Sequence, residues 1–488
     1  MSIKLKTYLR RLIPKNDIAR GIGVLVGGTA GSQLIMLLAA PIVARLYHPE
    51  SFGLLAVFTA LLTFITVVSC LRYEQAIPLP AGDDDATQLL ALALLILIGI
   101  SGLTAFLVYF FGHAIAAGLG SEHLARYLWL LPIGVLTGGA YLALERWSVR
   151  TRSFKQIAKT QFSRTLSNVA IQLIGFKLGP LGLIAGRVAG QGVGCGTLGK
   201  AAWRQIEIRE ISGRAMLRVA HRYRAFAIYS TWTALFNAAS LQFAPIVFVA
   251  LYGVGVTGLY ALTLAVLTLP SNLIGHAVGS VFLAHAPQAD RDGSLPEMVI
   301  AMHHKLAMAG VPVLVLILVA GPELFAFAFG ENWRKAGQYA QWMAPWIYLQ
   351  FQWSPMSGLA SILELQRDAM IAQLLTLILR IGALLLCAAL RTTPDVGIFV
   401  FAVVSAVTYL ACLLWIMAQA DLKPTTVIVD ELKTIGWFSL LATPAIVLFK
   451  SEHGYLTLLA GILFIAQCAW WLSQIINRPS PKTPPTTQ

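Results

Sequence analysis

Charge is scarce in this sequence, and acid is scarcer than base. Charged residues make up 12% of 488 positions, with 22 Asp and Glu against 36 Lys and Arg, while 57% are hydrophobic and the mean hydropathy is +0.72. Such a composition excludes an ordinary soluble domain and points to a chain that crosses a membrane many times. HExxH, GxSxG and metal-ligand clusters are all missing, so no catalytic metal and no cofactor is expected. The glycine-rich start GIGVLVGGTAGS lacks the Gly-Lys-Ser/Thr ending of a phosphate loop, which leaves ATP-driven chemistry without local support and makes the glycines a helix-packing feature. Cysteine is sparse too. Cys70, Cys195, Cys387, Cys412 and Cys468 fall in or beside apolar segments and read as small core hydrophobes. Long external loops are also absent, which disfavours a membrane-bound enzyme with catalytic groups outside the bilayer.

What is present is a succession of apolar segments of membrane-spanning length. Their number predicts an all-α polytopic membrane protein of about fourteen transmembrane helices, in two pseudo-symmetric six-helix lobes plus two C-terminal helices. The expected organisation is a basic cytoplasmic N-terminus (1–20, uncleaved), an N-lobe (21–205), a cytoplasmic linker (206–224), a C-lobe (225–420), two further spans (421–475) and a disordered Pro/Thr-rich tail (476–488). Six Lys and Arg precede the first span and seven lie between Lys200 and Arg224, whereas 48–51, 113–123 and 252–256 have none. The positive-inside rule therefore places both termini in the cytoplasm. Topology accounts for the net charge of +14 better than a nucleic-acid partner does.

The lobes rest on an internal repeat. Residues 40–56, APIVARLYHPESFGLLA, return as APIVFVALYGVGVTGLYA at 244–261, matching Leu46-Tyr47 with Leu251-Tyr252 and Gly53-Leu54 with Gly258-Leu259. Self-similarity over such a distance suggests a duplicated unit, with the lobe boundary near residue 210.

Four of the 36 Lys and Arg stand inside or at the end of a span: Arg45, Arg164, Arg187 and Arg380. A cation at such depth costs about 2.5–3.5 kcal/mol on insertion scales unless a partner or a wet cavity receives it. No Asp or Glu occupies the middle of any span, so these arginines point to an aqueous cavity for an anionic ligand. Arg45 can alternatively snorkel to the headgroups, and Arg164 and Arg380 can bond carbonyls at a kink. Gln161, Arg164, Asn168 and Gln172 share one face of the fifth span, and Gln373, Thr376 and Arg380 one face of the eleventh. In the eighth span Thr268, Asn272, His276 and Ser280 form a polar stripe, in which His276 is more readily a hydrogen-bonded fixture than a proton carrier. The sixth span carries Gly182, Gly186, Gly190 and Gly194, with Arg187 and Gln191 beside this ladder for close helix approach. The candidate cavity residues are these four arginines with Gln161, Asn168, Gln172, Gln191, Asn272, His276 and Gln373.

The segment ARLYHPESFGLLAVFTALLTFITVVSCLRYEQAIPLP, together with FGENWRKAGQYAQWMAPW at 329–346, resembles bacterial polysaccharide flippases of the polysaccharide transporter family. That family sits in the multidrug, oligosaccharidyl-lipid and polysaccharide exporter superfamily. The resemblance implies a carrier, not an enzyme, that moves an undecaprenyl-diphosphate-linked oligosaccharide across the bacterial inner membrane by alternating access, for O-antigen or exopolysaccharide assembly. It also implies membrane lipid, a polysaccharide polymerase and export proteins as partners, with the chain itself expected as a monomer. The alternatives are a cation-coupled multidrug exporter of the same superfamily, which would favour a deep carboxylate, and a glycan-assembly enzyme.

Overall fold

The computed structural model describes residues 17–203, 211–269, 271, 275–423, 425, 428–429 and 431–439. Among these the chain is helical and contains no strand. The basic start as far as residue 16, the last expected span and the Pro/Thr-rich tail lie outside the described residues, as does most of the thirteenth span.

Two compact units divide after Leu262. In the first, α1 (Asp17–Leu46), α2 (Pro49–Val68), α3 (Asp83–Gly118), α4 (Leu130–Arg150), α5 (Phe154–Ile174) and α6 (Pro180–Trp203) follow one another through short links. A short amphipathic α7 (Gly213–Arg222) precedes α8 (Thr231–Leu267), which runs across the division. In the second unit come α9 (His276–Arg291), α10 (Leu295–Phe329), α11 (Arg334–Met356), a single turn α12 (Leu359–Ile362), α13 (Gln366–Ala389) and α14 (Pro394–Gln419). Seven stretches, lying in α1, α2, α3, Phe226–Leu267, α10, α13 and α14, are long and apolar enough to cross a membrane. The polar residues that α4, α5, α6 and α11 carry keep them out of that group.

Helix starts follow simple electrostatics. Pro49 and Pro394 open α2 and α14 where an amide hydrogen is not needed, and Asp83, Asp84 and Asp85 set negative charge on the N-terminus of α3. The RYEQAIPLP link between α2 and α3 is folded inward: Tyr73, Glu74 and Ala76 form a buried 3₁₀ turn after Leu71 and Arg72 adopt left-handed backbone angles. Arg150, at the end of α4, holds this link by donating to the Pro80 carbonyl at 2.6 Å, the Gly82 carbonyl at 3.0 Å and Asp83 at 2.8 Å. One of the loop cations expected from topology therefore has a specific partner.

The chain breaks direction within 252–256, the stretch without Lys or Arg that the sequence reading set between two spans. Helix α8 comprises two helices that meet at a kink at Gly253, whose φ of +83° and ψ of 175° belong to a region that glycine alone enters readily.

Close packing comes from small residues, as lipid offers no hydrophobic drive between helices. The glycine ladder of α6 faces α5: a Cβ on Gly186 would crowd the Asn168 backbone, and one on Gly190 would meet the Arg164 carbonyl at 3.0 Å. In the second unit Gly321 of α10 and Gly337 of α11 cross in the same way. The first unit's core gathers Phe58, Leu97, Val135 and Ile184, and the second's gathers Leu306, Phe351, Met356 and Leu413.

Candidate functional site

The first unit contains a polar cavity of about 210 Å³ between α1, α5 and α6. Its wall takes Thr29, Ser32 and Gln33 from α1, Gln161, Arg164, Thr165 and Asn168 from α5, and Arg187 and Gln191 from α6. Five residues anticipated from sequence meet here: Gln161, Arg164, Asn168, Arg187 and Gln191. The α5 members converge because their spacing puts them on one helical face. The α6 members reach the same space because the glycine ladder lets the two backbones approach within reach of short side chains.

Two guanidinium groups border one cavity without a carboxylate among the described residues pairing with either. Arg164 lies over the Tyr141 ring with its Cζ 3.9 Å from the centroid, and the Tyr141 hydroxyl in turn donates to Glu145 at 3.2 Å. Its charge is thus steadied by a ring face and, one step removed, by a carboxylate at the end of α4. Arg187 has less support. Its Nε has no hydrogen-bond partner among the described residues, and neither does Asn168 Oδ1 or Gln191 Oε1. Three orphaned buried polar atoms at one cavity are costly, at roughly 1–3 kcal/mol each, unless a ligand or water satisfies them. The arrangement offers donors and positive charge to an anion, with amide groups placed to bind hydroxyls.

Gln172, expected on the same wall, is spent on structure: its Nε2 donates to the Leu183 carbonyl at 3.5 Å and its own carbonyl accepts from Tyr47 at 2.6 Å. Arg45 is exposed in the last turn of α1, outside the lining. Gln373 is exposed on α13. Arg380 is buried at 7% exposure in the second unit, its guanidinium 5.0 Å from the Trp346 ring and 4.7 Å from that of Phe401. Asn272 lies outside the described residues; His276 opens α9, and its side chain lies outside them too.

Sequence reasoning missed α1. Thr29, Ser32, Gln33 and Met36 recur at helical spacing and line the cavity, and Thr29 donates to Gln161 at 2.7 Å. The signal was there, hidden within a glycine cluster read wholly as packing. Gly28 does serve packing, since a Cβ there would lie 2.6 Å from that of Ala158 on α5.

A family profile described as "Polysaccharide biosynthesis protein" matches residues 42–338. Among curated proteins, none matches the sequence. Among solved structures, the lipid II flippase MurJ in an inward closed conformation is similar over 93% of this chain and 99% of its own, at 15% identity and a TM-score of 0.71. A multidrug resistance MATE family transporter of the MOP superfamily is similar in its inward-facing conformation over 84% of this chain and 96% of its own, at 14% identity and a TM-score of 0.58. An outward-facing conformation of such a transporter gives 84% and 97% coverage, 14% identity and a TM-score of 0.55. At these identities the likeness is one of fold. With the profile covering more than half its length and this fold beneath it, the chain is a multi-pass membrane protein that belongs to the polysaccharide biosynthesis protein family.

Proposed function

We propose that this protein is a flippase that carries an undecaprenyl-diphosphate-linked oligosaccharide from the inner to the outer leaflet of the bacterial inner membrane, by alternating access, for O-antigen or exopolysaccharide assembly. The observation that carries the proposal is the cavity in which Arg164 and Arg187 stand without carboxylate partners beside the orphaned amide oxygens of Asn168 and Gln191. A diphosphate would satisfy both cations, and the first sugars would satisfy the amides. Both termini lie in the cytoplasm on this reading, a polymerase and export proteins take the product onward, and the chain works as a monomer in its lipid.

A cation-coupled drug exporter is the competing reading. It would want a carboxylate where this cavity has arginines, and no Asp or Glu is among the residues lining it.

The test is complementation of surface polysaccharide in a strain lacking the protein. Arg164→Ala and Arg187→Ala are each expected to abolish surface polysaccharide at normal membrane abundance, with Arg187→Lys retaining part of it. Full transport by both alanine variants would overturn the assignment, and so would resistance to cationic drugs conferred by the wild-type chain without any effect on polysaccharide.

A further inference from the structure

Behind the cavity of the first unit stands α4, which contributes no residue to its lining. Two α4 residues nonetheless meet the side chains that do line it. Tyr141, buried at 4% exposure, sets its ring 3.9 Å from the Arg164 guanidinium carbon. Gly138, also buried, stands one turn earlier on the same helical face. A Cβ on Gly138 would lie 2.9 Å from Gln191 Oε1, 3.3 Å from its Cδ and 3.4 Å from its Nε2. The amide group of Gln191 rests in the notch that the missing side chain leaves.

Helix α6 completes the seat of Arg164. A Cβ on Gly194 would come 2.5 Å from Arg164 Cδ, 2.8 Å from its Cγ and 2.9 Å from Tyr141 Cδ2. The arginine stem and the tyrosine ring share the space this glycine keeps open. Tyr141 is itself anchored, since its hydroxyl donates to Glu145 one turn further along α4 at 3.2 Å. A long arginine side chain left free would have to be ordered when a ligand arrives, which weakens binding, whereas a planar guanidinium stacked on a fixed ring is ordered beforehand. Gln191 is held by different means. Its Oε1 has no hydrogen-bond partner among the described residues, so the shape of α4 restrains that end of the amide.

We infer that Tyr141 and Gly138 are positioning residues of the cavity, Tyr141 for Arg164 and Gly138 for Gln191. Through them α4 sets the separation between the cationic and the amide parts of the site. The ligand this favours joins an anion to neutral hydroxyl groups at a fixed, short distance, as a glycosyl phosphate does. The inference rests on the reading of the cavity as anion-binding.

Two measurements on the full-length protein in lipid nanodiscs test it. The first needs no ligand: the rate at which phenylglyoxal modifies Arg164 is followed by peptide mass spectrometry, with Arg187 as the internal reference. Tyr141→Leu should raise the Arg164 rate about tenfold as the ring contact is lost, with the Arg187 rate unchanged. Tyr141→Phe, which keeps the ring, should react as wild type. The second is calorimetric titration with glucose 1-phosphate. Gly138→Ala should weaken binding roughly fivefold, because the flexible amide is displaced while the backbone stays in place. In a Gln191→Ala background the same substitution should add nothing, a coupling that general damage to packing would not produce. An unchanged Arg164 rate in Tyr141→Leu, or an equal loss from Gly138→Ala with and without the Gln191 side chain, would overturn the inference. Release of Arg164 in Tyr141→Leu, with no binding of glucose 1-phosphate by wild type, would sink the anion-binding reading and leave the Tyr141 assignment standing.

Discussion

Gly53 of α2 and Gly258 of α8 touch backbone to backbone. A Cβ built on Gly53 would lie 3.1 Å from the Gly258 nitrogen, and one built on Gly258 would lie 2.9 Å from the Gly53 nitrogen. Each would also overlap a carbonyl oxygen, that of Val254 in the first case and of Pro49 in the second. These glycines are matched positions of the repeated segment, and Pro49 and Val254 stand four residues before them in their copies. The contact is therefore self-complementary, as a contact across an approximate twofold axis must be. The second copy packs on the first, and both lie in the first compact unit, Met1–Leu262.

Gly53→Ala and Gly258→Ala should each force α2 and α8 apart, because the obstacle is backbone and cannot rotate away. Overpacking of this kind costs about 1–3 kcal/mol. The expected result is a lowered thermal unfolding midpoint in detergent for both variants, while Gly99→Ala, on α3 with open space around it, leaves the midpoint unchanged.

Gly190→Leu should push α5 away from α6 and take Arg164 and Asn168 out of the cavity. The Arg164 carbonyl lies 3.0 Å from the Gly190 Cβ position, leaving no room for a side chain. Surface polysaccharide in the complementation assay should fall to background. Gly196→Leu, which meets nothing within 4 Å, should behave as wild type.

Arg380 lies against aromatic faces, and its replacement should act on folding first. Arg380→Ala removes cation–π contacts worth about 0.5–2 kcal/mol and should lower membrane abundance and thermal midpoint together. Arg380→Lys should recover only part of the loss, since a compact ammonium does not stack as a planar guanidinium does. Normal abundance of Arg380→Ala with lost transport would instead assign Arg380 to substrate.

The turn after α10 carries a pH-dependent contact. Arg334 donates to both oxygens of Glu331 at 2.9 Å, and this bonding holds the Glu331 carboxyl below the ordinary glutamate range. A carboxyl depressed in the folded state stabilises it above the unfolded value, about 4.3, and that contribution is lost as pH falls through the lower folded value. The site is open to water, so the effect is small. The thermal midpoint of Glu331→Gln should fall slightly below that of wild type at neutral pH and converge with it in acid.

Composition by itself decided that this chain lives in a membrane as helices, and helical periodicity decided which residues share a face: Gln161, Arg164 and Asn168 on α5, the glycine ladder on α6. Those conclusions are local, and local physics suffices for them. Only the tertiary structure decided which face meets which. It brought Thr29, Ser32 and Gln33 to the arginines, spent Gln172 on a backbone carbonyl, laid Arg380 against Trp346 and Phe401, and set Glu431 opposite His303. The reason is that among apolar helices in lipid no face is favoured by hydrophobicity. Partners are chosen by how closely backbones can approach and by which buried polar atoms find one another, and both depend on residues far apart in the chain.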